Sequence, residues 1–279
     1  MREPALLAAI LVVGVAACVL GLTALRGESP RECRSALIPA YLRPDAMGRI
    51  AEQPVHSRVV IFNPSSGPHS EPQPSYERAV AALQRSGTRV LGYVHTAYGA
   101  RDQVAVETDI ARYQSWYGVD GVFLDEAASG DAQLGYYRAL SRYIRASGEQ
   151  LVVLNPGMVP ARGFFDIADI VVTFEGPYSA YAAAVAGMPD WLRRLSPSRS
   201  AHLIYGATGE QALHAIGQGS AGFVYATADT LPDPWSSLPP YLGRFEGQLE
   251  ACWQPDSGAR ARLRRLTARR WAAERAGRA

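Results

Sequence analysis

Two adjacent carboxylates close an apolar run in the middle of the chain. Val119-Asp120-Gly121-Val122-Phe123-Leu124 leads directly into Asp125-Glu126. A β-type run without polar alternation predicts a strand buried on both faces, and hence a parallel sheet. In α/β folds, chemistry sits where such strands end. Helix capping is the structural alternative, with Asp125 as the N-cap of a helix from about Ala127. Other apolar runs close in the same way, on Tyr41, Asn63, His95, Asn155, Glu175, Tyr205 and Tyr225, and Tyr98, Tyr178 and Trp235 stand in the loops that follow. Core packing does not ask for this set. Turn chemistry by itself accounts for Asn63 and Asn155, each of which precedes Pro.

Together these residues supply two or three carboxylates, one His, two amides and many aromatic rings. Sugars have apolar faces and hydroxyl edges, which aromatic platforms and amide or carboxylate groups suit. Glycoside hydrolysis needs two carboxyl groups flanking the scissile bond, ~5–5.5 Å apart for retention and ~6.5–9.5 Å for inversion. Asp125 and Glu175 are read as that pair, on strands two apart. Asp125 is taken as nucleophile and Glu175 as general acid/base, an order the sequence does not fix. Glu126 binds or orients substrate, because strand alternation sends it away from Asp125 unless the loop bends. Tyr41, Asn63, His95, Tyr98, Asn155, Tyr178, Tyr205 and Tyr225 are read as substrate-binding. The ligand expected is a polysaccharide. A non-catalytic carbohydrate-binding surface protein uses the same groove and stays open as the alternative.

Other chemistries lack their motifs. There is no G-x-x-x-x-G-K-[ST], and no G-x-G-x-x-G after a strand, to cradle phosphates. No G-x-S-x-G elbow, H-E-x-x-H or C-x-x-C is present. No cofactor and no metal are expected. A net charge of +2 gives no global pull toward nucleic acid.

The elements that must position these residues form a rhythm. Strand-like runs at 36–41, 58–63, 89–95, 119–125, 150–155, 169–175, 201–205 and 221–226 alternate with helical segments at 76–86, 104–117, 134–147, 181–186, 190–195 and 210–218. Eight such runs predict an α/β fold of the (β/α)8 TIM-barrel type. Helix is thin between the fifth and sixth strands, and Pro39 fits a buried first strand poorly. An open doubly wound sheet is the alternative.

The 279 residues, 48% hydrophobic and 19% charged, suffice for one large core. Residues 1–34 read as a membrane anchor or signal segment and linker, 35–256 as the barrel, and 257–279 as an Arg-rich tail. Residues 5–25 carry no charge, long enough to cross a hydrocarbon core. A retained signal anchor is preferred over a lipoprotein lipidated at Cys18, and either places the barrel outside the cell membrane. In that oxidising setting Cys33 and Cys252, which bracket the barrel, are expected to form a disulfide. Residues 260–278 hold eight Arg. They read as a basic helix for anionic surfaces or as a solvated tail.

At its motifs the chain resembles the spherulin-4 family, over residues 37–253. The stretches that carry the resemblance are Ile38-Pro39 with Tyr41, Asn63-Pro64 with Ser66-Gly67-Pro68, Gly92-Tyr93-Val94-His95-Thr96 with Tyr98-Gly99, Asp120-Gly121 with Phe123, Asp125 and Glu126, and Phe174-Glu175. The resemblance implies a (β/α)8 fold and hydrolysis of α-1,4-linked N-acetylgalactosamine in secreted polysaccharides. It also implies essential acids at Asp125, Glu126 and Glu175. Ser65, Ala97 and Leu124 depart from the family's frequent Asn, Ser and Phe.

Overall fold

The computed structural model describes residues 34–53, 58–148, 150–219 and 221–249. Eight parallel strands close into a barrel in sequence order. They are β1 (Ser35–Ala40), β2 (Arg58–Phe62), β3 (Arg89–His95), β4 (Gly121–Asp125), β5 (Leu151–Leu154), β6 (Ile170–Pro177), β7 (Ser200–Tyr205) and β8 (Phe223–Ala226). Between them run α1 (Pro44–Glu52), α2 (Pro74–Arg85), α3 (Gln103–Arg112), α4 (Leu134–Ala146), α5 (Tyr178–Ala186), α6 (Asp190–Arg193) and α7 (Gly209–Gln218), and α8 (Leu242–Glu246) follows β8. The expected barrel is therefore present, and the open sheet is not. Between β5 and β6 a single 3-10 turn, Arg162–Asp166, stands in for a helix.

The expected helix at 104–117 divides. Its second half winds as a π-helical turn, Tyr113–Tyr117, that buries Tyr113 and Tyr117. β3 lies so close to this turn that a Cβ on Gly92 would stand 2.4 Å from Tyr113 Cγ. α1 was not anticipated from the sequence. It opens on Pro44, buries Met47 and Ile50, and at nine residues is shorter than the window of about 11–18 over which helical periodicity is read.

β1 shows how its proline is tolerated. The N–H groups of Ser35 and Tyr41 donate toward the β8 side, to Gly222 and Trp235. Pro39 shares their parity, and the β1–β8 pairing has already ended at Ala36–Val224. No ladder bond is lost there. At the N-terminal end of the barrel, opposite the strand ends that carry the polar residues, Arg58 forms a buried ion pair with Glu246 (2.9 Å). It also donates to the Ile50 carbonyl. This pair ties α1, β2 and α8 together.

Among the described residues no helix is long and apolar enough to cross a membrane. The stretch 5–25, Cys18, the Cys33–Cys252 pairing and the basic tail lie outside the described residues.

Candidate active site

Asp125 is the last residue of β4 and pairs in register with His95 at the end of β3. Asn155 follows β5, its N–H donating to the Leu124 carbonyl (2.9 Å). The turn after it is stitched to both neighbouring strands. The Ala127 N–H donates to the Asn155 carbonyl, and the Glu175 N–H donates to the Gly157 carbonyl, each at 2.9 Å. Gly157 holds φ +68°, a left-handed conformation that a side chain disfavours. Three strand ends are thereby locked in one frame.

The side chains converge inside that frame. Asn155 Nδ2 donates to Asp125 Oδ1 at 2.7 Å and to Glu175 Oε2 at 2.5 Å. Its Oδ1 accepts from the Gly157 N–H at 3.0 Å, which fixes which way the amide faces. The two carboxylate oxygens share one nitrogen. They therefore lie less than about 5.2 Å apart, the sum of those contacts, short of the ~6.5–9.5 Å of inverting glycosidases and on the retaining side of that divide. Trp235 Nε1 donates to the other oxygen of Glu175, Oε1, at 3.2 Å.

A β-bulge aims Glu175. Between Val172 and Phe174, β6 advances two residues while β7 advances one, so Glu175 pairs with Leu203. His202, next to Leu203, packs outward against Tyr181 of α5. Leu203 and Glu175 thus face the barrel axis. Without the extra residue the parity of Glu175 would reverse.

Burial penalises charge on both acids. It pushes Glu175 up from 4.5 to about 7, helped by the charge on Asp125 and opposed by the Asn155 and Trp235 hydrogen bonds. Asp125 is also raised by burial, but Tyr93, the Glu126 N–H and Asn155 donate to it and hold it down. Glu175 is thus inclined to carry a proton near neutral pH.

Glu126 departs from strand geometry. Its φ is +50°, so the chain turns immediately after Asp125 and the alternation argument does not apply to it. Its side chain is partly buried, and its charge raises the proton affinity of Asp125 and Tyr137. The neighbouring β3 loop is held to it: the Tyr98 N–H donates to the Glu126 carbonyl (2.7 Å), and Thr96 Oγ1 donates to the Asp125 or Glu126 carbonyl. Ala97 and Tyr98 are also left-handed, at φ +47° and +54°. Three non-glycine residues with positive φ meeting at one rim is strain of the kind that gathers at functional sites.

Not every expected binding residue reaches this centre. Tyr41 does, its ring edge-on to Tyr93 at 5.4 Å. Tyr98 stands 65% exposed at the rim, and His95 is partly buried beside Asp125. Tyr205 packs edge-on against Trp235. Asn63 instead shapes its own loop, its Oδ1 accepting from the Gly67 N–H at 3.1 Å. Tyr178 points to α7, its hydroxyl 2.9 Å from His214 Nδ1. Tyr225 is wholly buried beneath Trp235 and Phe245. Asn155 spends both amide hydrogens on the acids, so it orients the carboxylates. Tyr93, absent from the sequence-derived set, is placed at Asp125 by the same parity as His95, two residues on. That alternation was the available signal. Trp235 was legible as a loop aromatic near the rim, but no local pattern announced its contact with Glu175.

A model of the spherulation-specific family 4 matches residues 35–249. Spherulin-4 of Physarum polycephalum is 38% identical over 146 residues, covering 50% of this chain and 44% of the relative, so the match spans less than half of that protein. Among solved structures, Aspergillus clavatus Sph3 in complex with GalNAc superposes with a TM-score of 0.69 at 24% identity. The match covers 79% of this chain and 99% of that one and is a likeness of fold.

Proposed function

The chain belongs to the spherulation-specific family 4, and on that premise we propose that it is a glycoside hydrolase that cuts an amino-sugar polysaccharide with retention of configuration. The observation that carries this reading is the Asn155 amide bridging Asp125 and Glu175. That bridge brings an acid inclined to stay protonated within reach of a second carboxyl whose charged form three hydrogen bonds support. The amino-sugar part rests on the family and on the GalNAc-bound relative of the same fold.

In the first step the Asp125 carboxylate attacks the anomeric carbon. Glu175 gives its proton to the leaving oxygen as that bond breaks, and a glycosyl ester forms on Asp125. Glu175, now ionised, takes a proton from water as the water attacks the same carbon, which frees Asp125 and restores protonated Glu175. Glu126, freed from strand alternation by its positive φ, contacts the sugar and adds negative potential against the oxocarbenium-like transition state. Tyr98 gives an aromatic face for a ring next to the cut. An exported location is part of the proposal, from the apolar stretch 5–25.

The test is digestion of α-1,4-linked N-acetylgalactosamine polymers, with mass spectrometry of the products and proton NMR of the first anomer released. Oligosaccharides that appear first as the α anomer support the proposal. An inverted first product overturns the double-displacement mechanism. Binding without cleavage, by parent and Asp125→Asn alike, turns the reading to a carbohydrate-binding protein.

A further inference from the structure

Trp235 lies on the loop after β8, far in sequence from both Asp125 and Glu175. It is only 5% exposed. Its carbonyl accepts the Tyr41 N–H at 3.2 Å, which ties the loop to the end of β1. Its ring stands between Tyr205 and the wholly buried Tyr225, with centroids at 6.4 and 5.9 Å. The loop before it is pinned to β7: the Gly206 N–H donates to the Asp229 carbonyl and the Ala207 N–H to the Thr227 carbonyl, both at 2.8 Å. Ser237 hydrogen-bonds the Asp229 carboxylate. An indole held by its backbone, by two flanking rings and by a pinned loop has little freedom to turn. Its N–H is aimed at Glu175 Oε1.

With Asn155 on Oε2 and Trp235 on Oε1, each oxygen of Glu175 already receives one N–H. We propose that Trp235 is a positioning residue that, together with Asn155, fixes the Glu175 carboxyl plane and confines its proton to the lone pairs those two donors leave. This rests on the reading of Glu175 as general acid/base. Packing alone would be served by a phenyl ring at 235, whereas a fixed donor is needed only if the orientation and ionisation of Glu175 matter. Because an N–H favours the ionised carboxylate, its loss lets Glu175 keep its proton to higher pH.

The experiment compares the parent with Trp235→Phe, which keeps a ring and removes the donor, on a polymer the parent cleaves. The high-pH limb of the rate profile should move up by about one pH unit, as loss of a hydrogen bond to a charged group implies. kcat should fall, with KM little changed. An unmoved limb, or a change confined to KM, overturns the proposal. A second measurement does not depend on that variant folding, or on turnover. 5-Fluorotryptophan placed at position 235 alone should give a fluorine resonance that titrates near neutral pH and loses that step in Glu175→Gln. A resonance that does not titrate, or that titrates alike in both proteins, overturns the coupling. Absence of cleavage together with an intact fluorine titration removes the hydrolase reading and leaves the Trp235–Glu175 contact standing.

Discussion

Replacing Glu175 by Gln should make the protein inactive and, above neutral pH, more stable. Folding raises the pKa of this carboxyl from 4.5 to about 7, chiefly by burial. Between those values the folded chain holds a proton that the unfolded chain has released, so stability falls as pH rises through that window. A tenfold change in proton affinity is worth about 1.36 kcal/mol, so the rise from 4.5 to about 7 sets a ceiling of about 3 kcal/mol by pH 8. Gln escapes this penalty. Its amide must turn an NH2 toward either Asn155 or Trp235, which sacrifices one hydrogen bond at a cost of about 1 kcal/mol. The variant should then be the less stable protein by about that amount at pH 4, and the more stable one by about 1–2 kcal/mol at pH 8. Relief of the repulsion on Asp125 acts in the same direction. Urea titrations followed by circular dichroism from pH 4 to 8, on both proteins, measure the difference directly. A difference that stays flat across the range refutes the placement of a buried, proton-retaining acid at 175. It would also remove the physical basis for its role as general acid.

The same ionisations set the rate profile: kcat/KM should form a bell, falling above about pH 7 as Glu175 loses its proton. On the acid side it should fall at a pH above the ordinary Asp value, as Asp125 gains a proton. Initial rates across that range check it, and a maximum well above pH 8 contradicts it. Tyr98→Ala removes a rim ring that is 65% exposed. It should raise KM two- to twelve-fold, the equivalent of about 0.5–1.5 kcal/mol of ring contact, with kcat nearly unchanged in steady-state kinetics. Gly121→Ala puts a Cβ 2.3 Å from the Leu151 carbonyl oxygen and 2.7 Å from its nitrogen. Backbone on β5 cannot yield there, so denaturation should show a loss of about 1–3 kcal/mol or more. Activity should fall as well, because β4 and β5 carry Asp125 and Asn155. Breaking the buried Arg58–Glu246 pair with Glu246→Ala should cost about 3–5 kcal/mol of stability in the same assay.

Eight apolar runs, each closed by a polar or aromatic residue, were enough to read the barrel, and the rim where those residues gather, from the chain alone. Buried parallel strands must be apolar throughout, so an acid at the end of one is conspicuous. For that reason Asp125 and Glu175 were legible, and β3 could be bounded to the residue at Arg89–His95. Short irregular pieces were less legible. α1 is too short, at nine residues, for its stripe to repeat, and the π turn after α3 continues the helical periodicity that conceals it.

What the tertiary structure decided lies in relations between distant residues. Asn155 looked like a turn residue before Pro or a sugar-binding amide. It is the bridge between the acids only because β4, β5 and β6 are adjacent and the Gly157 N–H fixes its flip. Glu175 faces the axis because β6 gains a residue on β7, a bulge that no local pattern announces. Glu126 escaped the alternation rule because a positive φ follows the strand. Tyr225, equal to Tyr41 as a strand-end residue in one dimension, and Tyr178, read as a loop residue beside the rim, are withdrawn by Trp235 and by His214. Sequence determined which side chains reach the rim's neighbourhood, since burial periodicity is local. Which of them touch, and which carboxyl keeps its proton, depends on packing between strands and on shared desolvation, and those exist only in the closed barrel.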